Sequence, residues 1–200
     1  MSNIDATYRV CALRGFPARH SLGPAMHNAA FAALGLPLVY VAHDVAPTDL
    51  PAAFAGARAL GYLGLSITMP HKVAALSLVD EVDPMARAIG CINTVVNRDG
   101  RLVGANSDGQ GALDALARAG IPTRNQRVLV LGSGGAARAV AMTMAMRGHP
   151  AKMEMLGVVA DELDRLRADV AAQASMEVTG GLLDQARLAA AVAGADLVVH

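Results

Sequence analysis

A glycine-rich segment between an apolar strand and a helix constrains the fold of this chain more than any other feature. Residues 127–131 (RVLVL) predict a buried strand, and a helix is predicted over 134–147. The loop between them fits the pattern G-x-G-x-x-A, and its members are Gly132, Ser133, Gly134, Gly135, Ala136 and Ala137. The first glycine allows a tight turn, the second lets a pyrophosphate approach the backbone, and the small last residue lets helix and strand pack closely. The segment therefore predicts a dinucleotide-binding α/β unit, with a glycine turn in some other α/β domain as the alternative.

The end of the second strand of such a unit distinguishes NAD from NADP. An acidic residue there binds the ribose hydroxyls of NAD, whereas an arginine accommodates the 2′-phosphate of NADP. The predicted second strand, over 152–156, is followed by G-V-V at 157–159, which offers neither group. Glu154 lies inside the strand, Asp161 lies one turn into the next helix, and Arg138 could reach the adenosine side from the helix after the glycine loop. The cofactor is therefore predicted to be NADP or NAD, with the preference open.

Strand-like and helix-like segments alternate along the whole sequence, an order that favours parallel sheets covered by helices. The 200 residues have room for two modest domains, and the polar segment over 121–126 is the predicted boundary. We therefore expect an α/β fold with an N-terminal domain over 1–120, built on a mostly parallel sheet, and a C-terminal Rossmann domain over 121–200. The second domain is expected to be incomplete at its C-terminus, because no turn or helix follows its last predicted strand.

Local signals predict several individual elements. Asp83 is a fair N-cap for a helix over 84–89. Asp99 and Gly100 separate two apolar strands, which indicates a hairpin. Pro70 follows a short apolar strand and fits the first turn of a helix.

Composition and charge exclude several classes of function. The formal net charge is zero, so the chain lacks the electrostatic footprint of a nucleic-acid-binding protein. No segment reaches the roughly 18 uninterrupted apolar residues of a membrane helix, and residues 1–7 lack the pattern of a signal peptide. Cys11 and Cys91 are far apart and lack metal-ligand spacing, so buried thiols are expected and no metal site is predicted. We expect a cytoplasmic protein that binds a small molecule, without nucleic acid or membrane partners.

Polar clusters in the first half each follow a predicted strand, and caps or turns are the alternative interpretation of each. The clusters are Ser21; Ser66, Thr68 and Lys72; Asn93 and Thr94; and Asn106 with Asp108. Ligands collect at the carboxyl ends of strands in α/β sheets, which predicts a binding site there. Lys72 and Asp108 supply an ammonium and a carboxylate, and a hydroxyl that loses hydride needs a group to take its proton. A surface lysine at a helix start is the alternative for Lys72.

Five motifs, in this order, resemble the shikimate dehydrogenase family, including its quinate/shikimate branch. The segment 20–28 (HSLGPAMHN) is similar to the family's HSxSPxxHN loop, and 66–72 (SITMPHK) is similar to its NVTxPxK segment. The segments 89–94 (IGCINT) and 104–109 (GANSDG) are similar to IGAVNT and GxNTDG. The segment 132–139 (GSGGAARA) is similar to the cofactor loop GAGGAARA. The resemblance covers nearly the whole chain.

The resemblance implies an oxidoreductase that reversibly reduces 3-dehydroshikimate to shikimate, usually with NADPH, in the shikimate pathway of aromatic amino acid biosynthesis. It implies that the N-terminal domain is the substrate-binding catalytic domain and that the Rossmann domain binds NAD(P). Lys72 would donate and accept the proton, with Asp108 as its hydrogen-bonded partner. Ser21 would contact the substrate carboxylate. The residues implied at the ring hydroxyls are Thr68, Asn93 and Asp108, with Ser66 at the position of a further substrate-binding asparagine. A monomer or a homodimer is expected.

The sequence departs from the family pattern at three places. Gly23 replaces the second serine of the first motif, Ser66 replaces an asparagine, and 157–159 (GVV) replaces the Asn-Arg-Thr that grips the 2′-phosphate. The family also continues past the strand predicted at 197–200, with a loop along the nicotinamide and a later helix that returns to the substrate domain. The alternatives are therefore a quinate/shikimate or aminoshikimate dehydrogenase that uses NAD, and a non-catalytic binding module of the same fold.

Overall fold

The computed structural model describes residues 4–200, which divide into two compact units. The first unit ends at Asn106 and the second runs from Ser107 to His200. The sequence had predicted the division after residue 120, at a polar segment. The difference is helix α4 (Asp108–Arg118), which belongs to the second unit and packs against helix α5 (Gly135–Thr143). The packing between these helices determines where the boundary between the two units lies, and the polarity of the segment over 121–126 does not predict that position.

The first unit is built on a six-stranded sheet flanked by three α-helices. The strands are β1 (Arg9–Gly15), β2 (Leu38–Asp44), β3 (Gly64–Ile67), β4 (Glu81–Val82), β5 (Thr94–Arg98) and β6 (Arg101–Ala105), and the helices are α1 (Gly23–Ala33), α2 (Leu50–Ala59) and α3 (Pro84–Ile89). The strand order is β2-β1-β3-β5-β6-β4. All pairings are parallel except those of β5, which runs antiparallel to both β3 and β6. The sheet is therefore mixed and mostly parallel, as predicted.

Apolar side chains from adjacent positions of β1 are buried on opposite faces of this sheet. Ala12 belongs to a core cluster with Phe54 of α2, whereas Leu13 belongs to a second cluster with Tyr40, against which Phe31 of α1 packs. Neighbouring residues in a strand point to opposite faces. Both faces of β1 are therefore covered, as parallel sheets require.

The second unit is a Rossmann-type sheet with helices. Its strands are β7 (Arg127–Leu131), β8 (Lys152–Gly157), β9 (Glu177–Leu182) and β10 (Leu197–Val199), and its further helices are α5 (Gly135–Thr143), α6 (Ala160–Gln173) and α7 (Gln185–Gly194). The strand order is β10-β7-β8-β9, and every pairing is parallel. The predicted fold class, an α/β unit followed by a Rossmann unit, is confirmed.

The local predictions are confirmed at two places and wrong at a third. Asp83 caps α3 by accepting hydrogen bonds from the amides of Met85 and Ala86, and β5 and β6 form the predicted hairpin. Pro70 does not open a helix: the Met69–Pro70 peptide is cis, and the next helical segment is a 3₁₀ helix over Ala74–Leu78. A short turn, closed by the His71 amide on the Thr68 carbonyl at 2.9 Å, occupies the interval. Within residues 4–200, no helix is both long enough and apolar enough to cross a membrane.

Gly109 lies where the first turn of α4 approaches α5. A Cβ atom at this position would overlap the side chain of Thr143 and the backbone oxygen of Ala139, both in α5. A backbone oxygen cannot rotate away, so a side chain here would displace the helix. Gly111, two residues further along α4, has open space where its Cβ would stand.

We expect Gly109→Ala to lower the free energy of unfolding by about 1–3 kcal/mol, the usual cost of overpacking. The matched change Gly111→Ala should be neutral or should stabilise by up to about 1 kcal/mol, because alanine favours a helix over glycine. Urea unfolding of both variants measures the difference. Equal stabilities for the two variants would show that the close contact between α4 and α5 is absent.

Candidate active site

Three backbone hydrogen bonds join the ends of β3, β5 and β6 at one edge of the first sheet. The Ile67 amide donates to the Asn93 carbonyl at 2.7 Å, and the Asn93 amide donates to the Ala105 carbonyl at 3.0 Å. The Ile92 amide donates to the carbonyl of Lys72 at 2.9 Å. Because β5 is antiparallel, it begins where its two neighbours end. The segments after β3 and before β5 therefore meet at this edge.

This edge brings together three of the predicted site residues, Thr68, Lys72 and Asn93. All three are half-buried. The Thr94 hydroxyl donates to the carboxamide oxygen of Asn93 at 2.8 Å, which holds the orientation of that side chain. The residues that carry a hydroxyl, an ammonium and a carboxamide thus meet at this sheet edge, a set suited to a polyhydroxylated ligand.

His71 fixes the turn that carries Lys72. Its side chain is only 1% exposed, and its Nε2 donates to the carbonyl of Val45 at 2.8 Å. Its own carbonyl accepts from the Ala75 amide at 2.9 Å. The residue before Lys72 is therefore anchored to the segment that follows β2. The sequence analysis did not predict this contact, and the one sequence signal for it is a histidine next to Pro70.

Asp44 anchors the loop that carries Ser21. Its carboxylate accepts from the Ala18 amide and from Nε of Arg19, both at 2.6 Å. The Ala18 amide, with the Arg19 guanidinium adding to it, holds the pKa of Asp44 below its usual value. Ser21 is exposed, and its hydroxyl accepts from the Gly23 amide at 3.1 Å. The loop is thus tied to the carboxyl end of β2.

Ser66 faces a cavity of about 320 Å³ on the α1 side of the sheet. It lines this cavity with Tyr40, His27 and Thr94. Burial raises the pKa of the Tyr40 phenol, and a hydrogen bond with Ser66 opposes that shift. His27 stacks on Tyr40 with ring centroids 4.3 Å apart, and the Asn28 side chain exchanges two hydrogen bonds with the Tyr40 backbone at 2.8 and 2.9 Å. Asn28 therefore holds α1 against β2, although it belongs to the first family motif.

Asp108 begins α4 and belongs to the second unit, whereas Lys72 belongs to the first. Asn106, the last residue of the first unit, donates from its carboxamide to the carbonyl of Cys91 at 3.1 Å and to its sulfur at 3.3 Å. Asn106 therefore supports the segment that leads into β5. The pairing of Lys72 with Asp108 stays a prediction.

The glycine loop of the second unit has the local geometry of a dinucleotide-binding turn. Gly132 has a φ of 108°, a conformation that favours glycine, and its amide donates to the Leu156 carbonyl at 2.7 Å. A Cβ at Gly132 would lie 3.7 Å from the Cβ of Ala137, so loop and helix pack closely there. Nothing lies within 4 Å of a Cβ at Gly134, which leaves room for a ligand to approach the backbone. The residues of this loop therefore fit a pyrophosphate.

The side chains at the end of β8 supply no positive charge. Val158 is 76% exposed and Val159 is 46% exposed. Arg138, which the sequence left as a possible cation, forms an ion pair with Asp169 of α6, and its side chain is only 19% exposed. Arg138 is therefore held between α5 and α6 by a carboxylate.

Cys91 is buried and Cys11 is half-buried, and burial raises the pKa of the Cys11 thiol. In the part of the chain that the structure describes, no group of three or more histidine, cysteine, aspartate or glutamate side chains is placed to hold a metal ion.

A Rossmann unit with this glycine loop, following an α/β unit with polar groups at its strand ends, is the architecture of two-domain dinucleotide-dependent dehydrogenases. The family model described as the shikimate dehydrogenase substrate binding domain matches residues 13–95, within the first unit. The chain is 45% identical over 195 residues to the shikimate dehydrogenase (NADP(+)) of Symbiobacterium thermophilum, which covers 96% of this chain and 65% of that relative.

Solved structures of shikimate dehydrogenases are also similar to this chain. Shikimate 5-dehydrogenase from Listeria monocytogenes, in complex with shikimate and NAD, is 30% identical with a TM-score of 0.88, covering 99% of this chain and 70% of that chain. A shikimate dehydrogenase in complex with NADP+ is 34% identical with a TM-score of 0.86, covering 98% of this chain and 67% of that chain. The chain belongs to the shikimate dehydrogenase family. It spans 65% and 50% of the length of the first two curated relatives that it matches.

We expect His71→Phe to destabilise the turn that carries Lys72, because the buried Val45 carbonyl would lose its donor. An unsatisfied buried acceptor costs about 1–3 kcal/mol. His71→Gln, which keeps a donor on a long side chain, should recover part of that loss. Chemical unfolding measures the stability, and hydrogen exchange over residues 68–75 measures local opening. Phe and Gln variants of equal stability and equal exchange would contradict the anchoring role of the imidazole.

Proposed function

We propose that this protein is an oxidoreductase that reversibly reduces 3-dehydroshikimate to shikimate with NADP or NAD, as a step of the shikimate pathway of aromatic amino acid biosynthesis. The observation that carries the proposal is the joined strand-end edge that assembles Thr68, Lys72 and Asn93 in a member of this family. The relative from Symbiobacterium thermophilum named above is a shikimate dehydrogenase (NADP(+)).

The first unit binds the substrate in this proposal, and the second binds the cofactor. Ser21, on its anchored loop, contacts the substrate carboxylate. Thr68, Asn93 and Asp108 bind the ring hydroxyls, and Ser66 of β3 contributes a further hydroxyl. A triol carboxylate needs several donors and acceptors at fixed positions, and the hydrogen bonds around Asn93 and Ser21 supply that order.

Lys72 moves the proton. During reduction its ammonium donates a proton to the carbonyl oxygen of 3-dehydroshikimate, and during oxidation its amine takes the proton from the hydroxyl of shikimate. Asp108 accepts a hydrogen bond from the ammonium and orients it. A positioned general acid or base typically contributes about 10² to 10⁴-fold in rate. The nicotinamide cofactor, when bound, supplies or accepts the hydride.

Backbone amides at the start of α5 bind the cofactor's pyrophosphate in this proposal. The residues that hold it are Gly132, Ser133, Gly134, Gly135, Ala136 and Ala137. Amides at a helix N-terminus and the helix dipole favour an anion at that position. The open space at Gly134 supports this assignment.

Gly23 is the observation that favours a second candidate function. A serine hydroxyl is missing there, and a Cβ at Gly23 would lie 3.1 Å from the hydroxyl oxygen of Ser21. The carboxylate end of the substrate therefore has one hydroxyl donor fewer than in the family motif, and a quinate/shikimate or aminoshikimate dehydrogenase is the second candidate. The expectations of a cytoplasmic protein, of a monomer or homodimer, and of no nucleic acid or membrane partner stay predictions.

Lys72 and Lys152 are the two lysines of the chain, which offers a matched pair of variants. We expect Lys72→Ala to fold normally and to lower kcat by about 10² to 10⁴-fold, the contribution of a positioned acid–base group. Lys152→Ala should keep kcat, because Lys152 pairs with Glu177 at the amino ends of β8 and β9.

Steady-state rates with shikimate, quinate and aminoshikimate, each with NAD and NADP, provide the measurement. A Lys72→Ala variant with the kcat of the parent protein would make Lys72 a surface lysine. Preferred turnover of quinate or aminoshikimate would favour the second candidate function. Absence of turnover with every pair of substrate and cofactor would favour the non-catalytic binding module.

A further inference from the structure

A carboxylate reaches the glycine loop from the neighbouring strand–helix connection. Glu162 lies in the first turn of α6, and its Oε2 accepts a hydrogen bond from the hydroxyl of Ser133 at 3.3 Å. Ser133 is the second residue of the loop and is half-buried, whereas Glu162 is exposed. Sequence reasoning considered Glu154 and Asp161 near the end of β8 and did not consider Glu162.

Ser133, Gly157 and Glu162 together form the side of the loop that faces the end of β8. A Cβ at Gly157 would lie 3.4 Å from the Ser133 hydroxyl, an ordinary contact distance. In Rossmann folds, the adenosine ribose is recognised at the end of the second strand, beside the glycine loop. That strand is β8 here, and β8 ends at Gly157. Glu162 thus brings an acidic group from the first turn of α6 to the side of the glycine loop that lies next to the end of β8.

Arginines around this position are directed elsewhere. Arg138 pairs with Asp169, and Nε of Arg165 donates to the backbone carbonyl of Asp161 at 3.0 Å. Arg187, in the first turn of α7, places a guanidinium nitrogen 3.4 Å from the Leu182 carbonyl at the end of β9. Arg187 is therefore the arginine whose contribution to phosphate binding the experiment below measures.

We propose that Glu162 determines the cofactor preference of this chain, accepting a hydrogen bond from the ribose 2′-hydroxyl of NAD and repelling the 2′-phosphate of NADP. The inference rests on the proposed function, because it assumes that the glycine loop binds a dinucleotide. A 2′-phosphate carries close to two negative charges and is gripped best by arginine forks. An exposed carboxylate with Val158 and Val159 beside it provides the opposite environment. The chain thus differs from curated relatives that are named for NADP(+).

Isothermal titration of the purified protein with NAD+ and with NADP+ gives the dissociation constants without any turnover. We expect NAD+ to bind more tightly than NADP+. Glu162→Gln should tighten NADP+ binding by about 3- to 10-fold, since screened charge pairs at exposed sites have modest energies, and should not tighten NAD+ binding. Val158→Arg should tighten NADP+ binding by about tenfold more, through a charge-assisted contact with the phosphate.

Glu177→Gln is the matched control for charge. Glu177 lies at the amino end of β9, paired with Lys152, whereas the glycine loop lies at the carboxyl ends of the strands. Its removal changes the net charge by the same amount as Glu162→Gln. We expect the ratio of the two dissociation constants to stay unchanged in this variant.

Three results would overturn the inference, and they differ from a failure of the proposed function. In the first result, the parent protein binds NADP+ more tightly than NAD+, and Arg187→Gln abolishes this preference, which would show that Arg187 binds the phosphate. In the second, the preference for NADP+ persists in Arg187→Gln, which would also exclude Glu162 as the determinant. In the third, Glu162→Gln changes the dissociation constants of NAD+ and NADP+ by the same factor, which would show that Glu162 only stabilises the loop that contains Ser133. Binding of neither NAD+ nor NADP+ would overturn the dinucleotide site itself, and with it the proposed function.

Discussion

The antiparallel direction of β5 is the constraint on which the candidate substrate site depends. A parallel strand between β3 and β6 would begin at the opposite edge of the sheet, far from the ends of its neighbours. Because β5 is antiparallel, Asn93 enters the sheet where Ile67 and Ala105 leave it, and its amide and carbonyl bond to both neighbours. The Ile92 amide then ties the turn of Lys72 to the same place. Each such bond contributes only about 0.5–1.5 kcal/mol net. Their structural effect is larger, because together they fix which side chains share the edge.

The two members of the proposed proton relay are positioned by different kinds of contact. Lys72 is held by the backbone hydrogen bonds of the strand-end edge and by the buried imidazole of His71. Asp108 is held by the packing of α4 on α5, in which Gly109 permits the close approach. Strand-end hydrogen bonds are directional, whereas helix packing depends on the size of one residue. Substitutions that change the packing of α4 on α5 therefore act on the helix that begins with Asp108.

Sequence patterns predicted the elements whose signals are local. The continuous apolar run at β7 gave its bounds, and Asp83 gave the start of α3 through its two capping hydrogen bonds. The two-residue strand β4 escaped prediction, because it exists only through its pairing with β6. The turn at Pro70 was misread as a helix start, since proline favours both environments and only the surrounding chain decides between them. The division between the two units lies before α4 and not after it for a similar reason. The packing of α4 on α5 joins segments that are separated in sequence, and the polarity of the segment between them does not predict it.

Some features of the candidate site could be predicted from local sequence patterns, and others arise only from the fold. Thr68, Lys72 and Asn93 could be expected together because each follows or precedes a strand at one edge of a sheet. The contacts of His71 with Val45 and of Glu162 with Ser133 join segments that are distant in sequence, and no local pattern predicts them.

Cofactor choice illustrates why membership of a family does not determine every property of a site. The backbone part of the cofactor site follows from glycine geometry, which Gly132 and Gly134 preserve, so the fold and the loop are shared. Discrimination between NAD and NADP depends on a few exposed side chains at the end of β8, which the fold leaves free to vary. One solved relative was obtained with NAD and another with NADP+ on closely similar folds. In this chain the arginine-bearing segment of the family is replaced by Gly157, Val158 and Val159, and the nearby charge is the carboxylate of Glu162. The same backbone can thus hold the pyrophosphate of either cofactor, while in our proposal the charge of Glu162 decides which ribose is accepted.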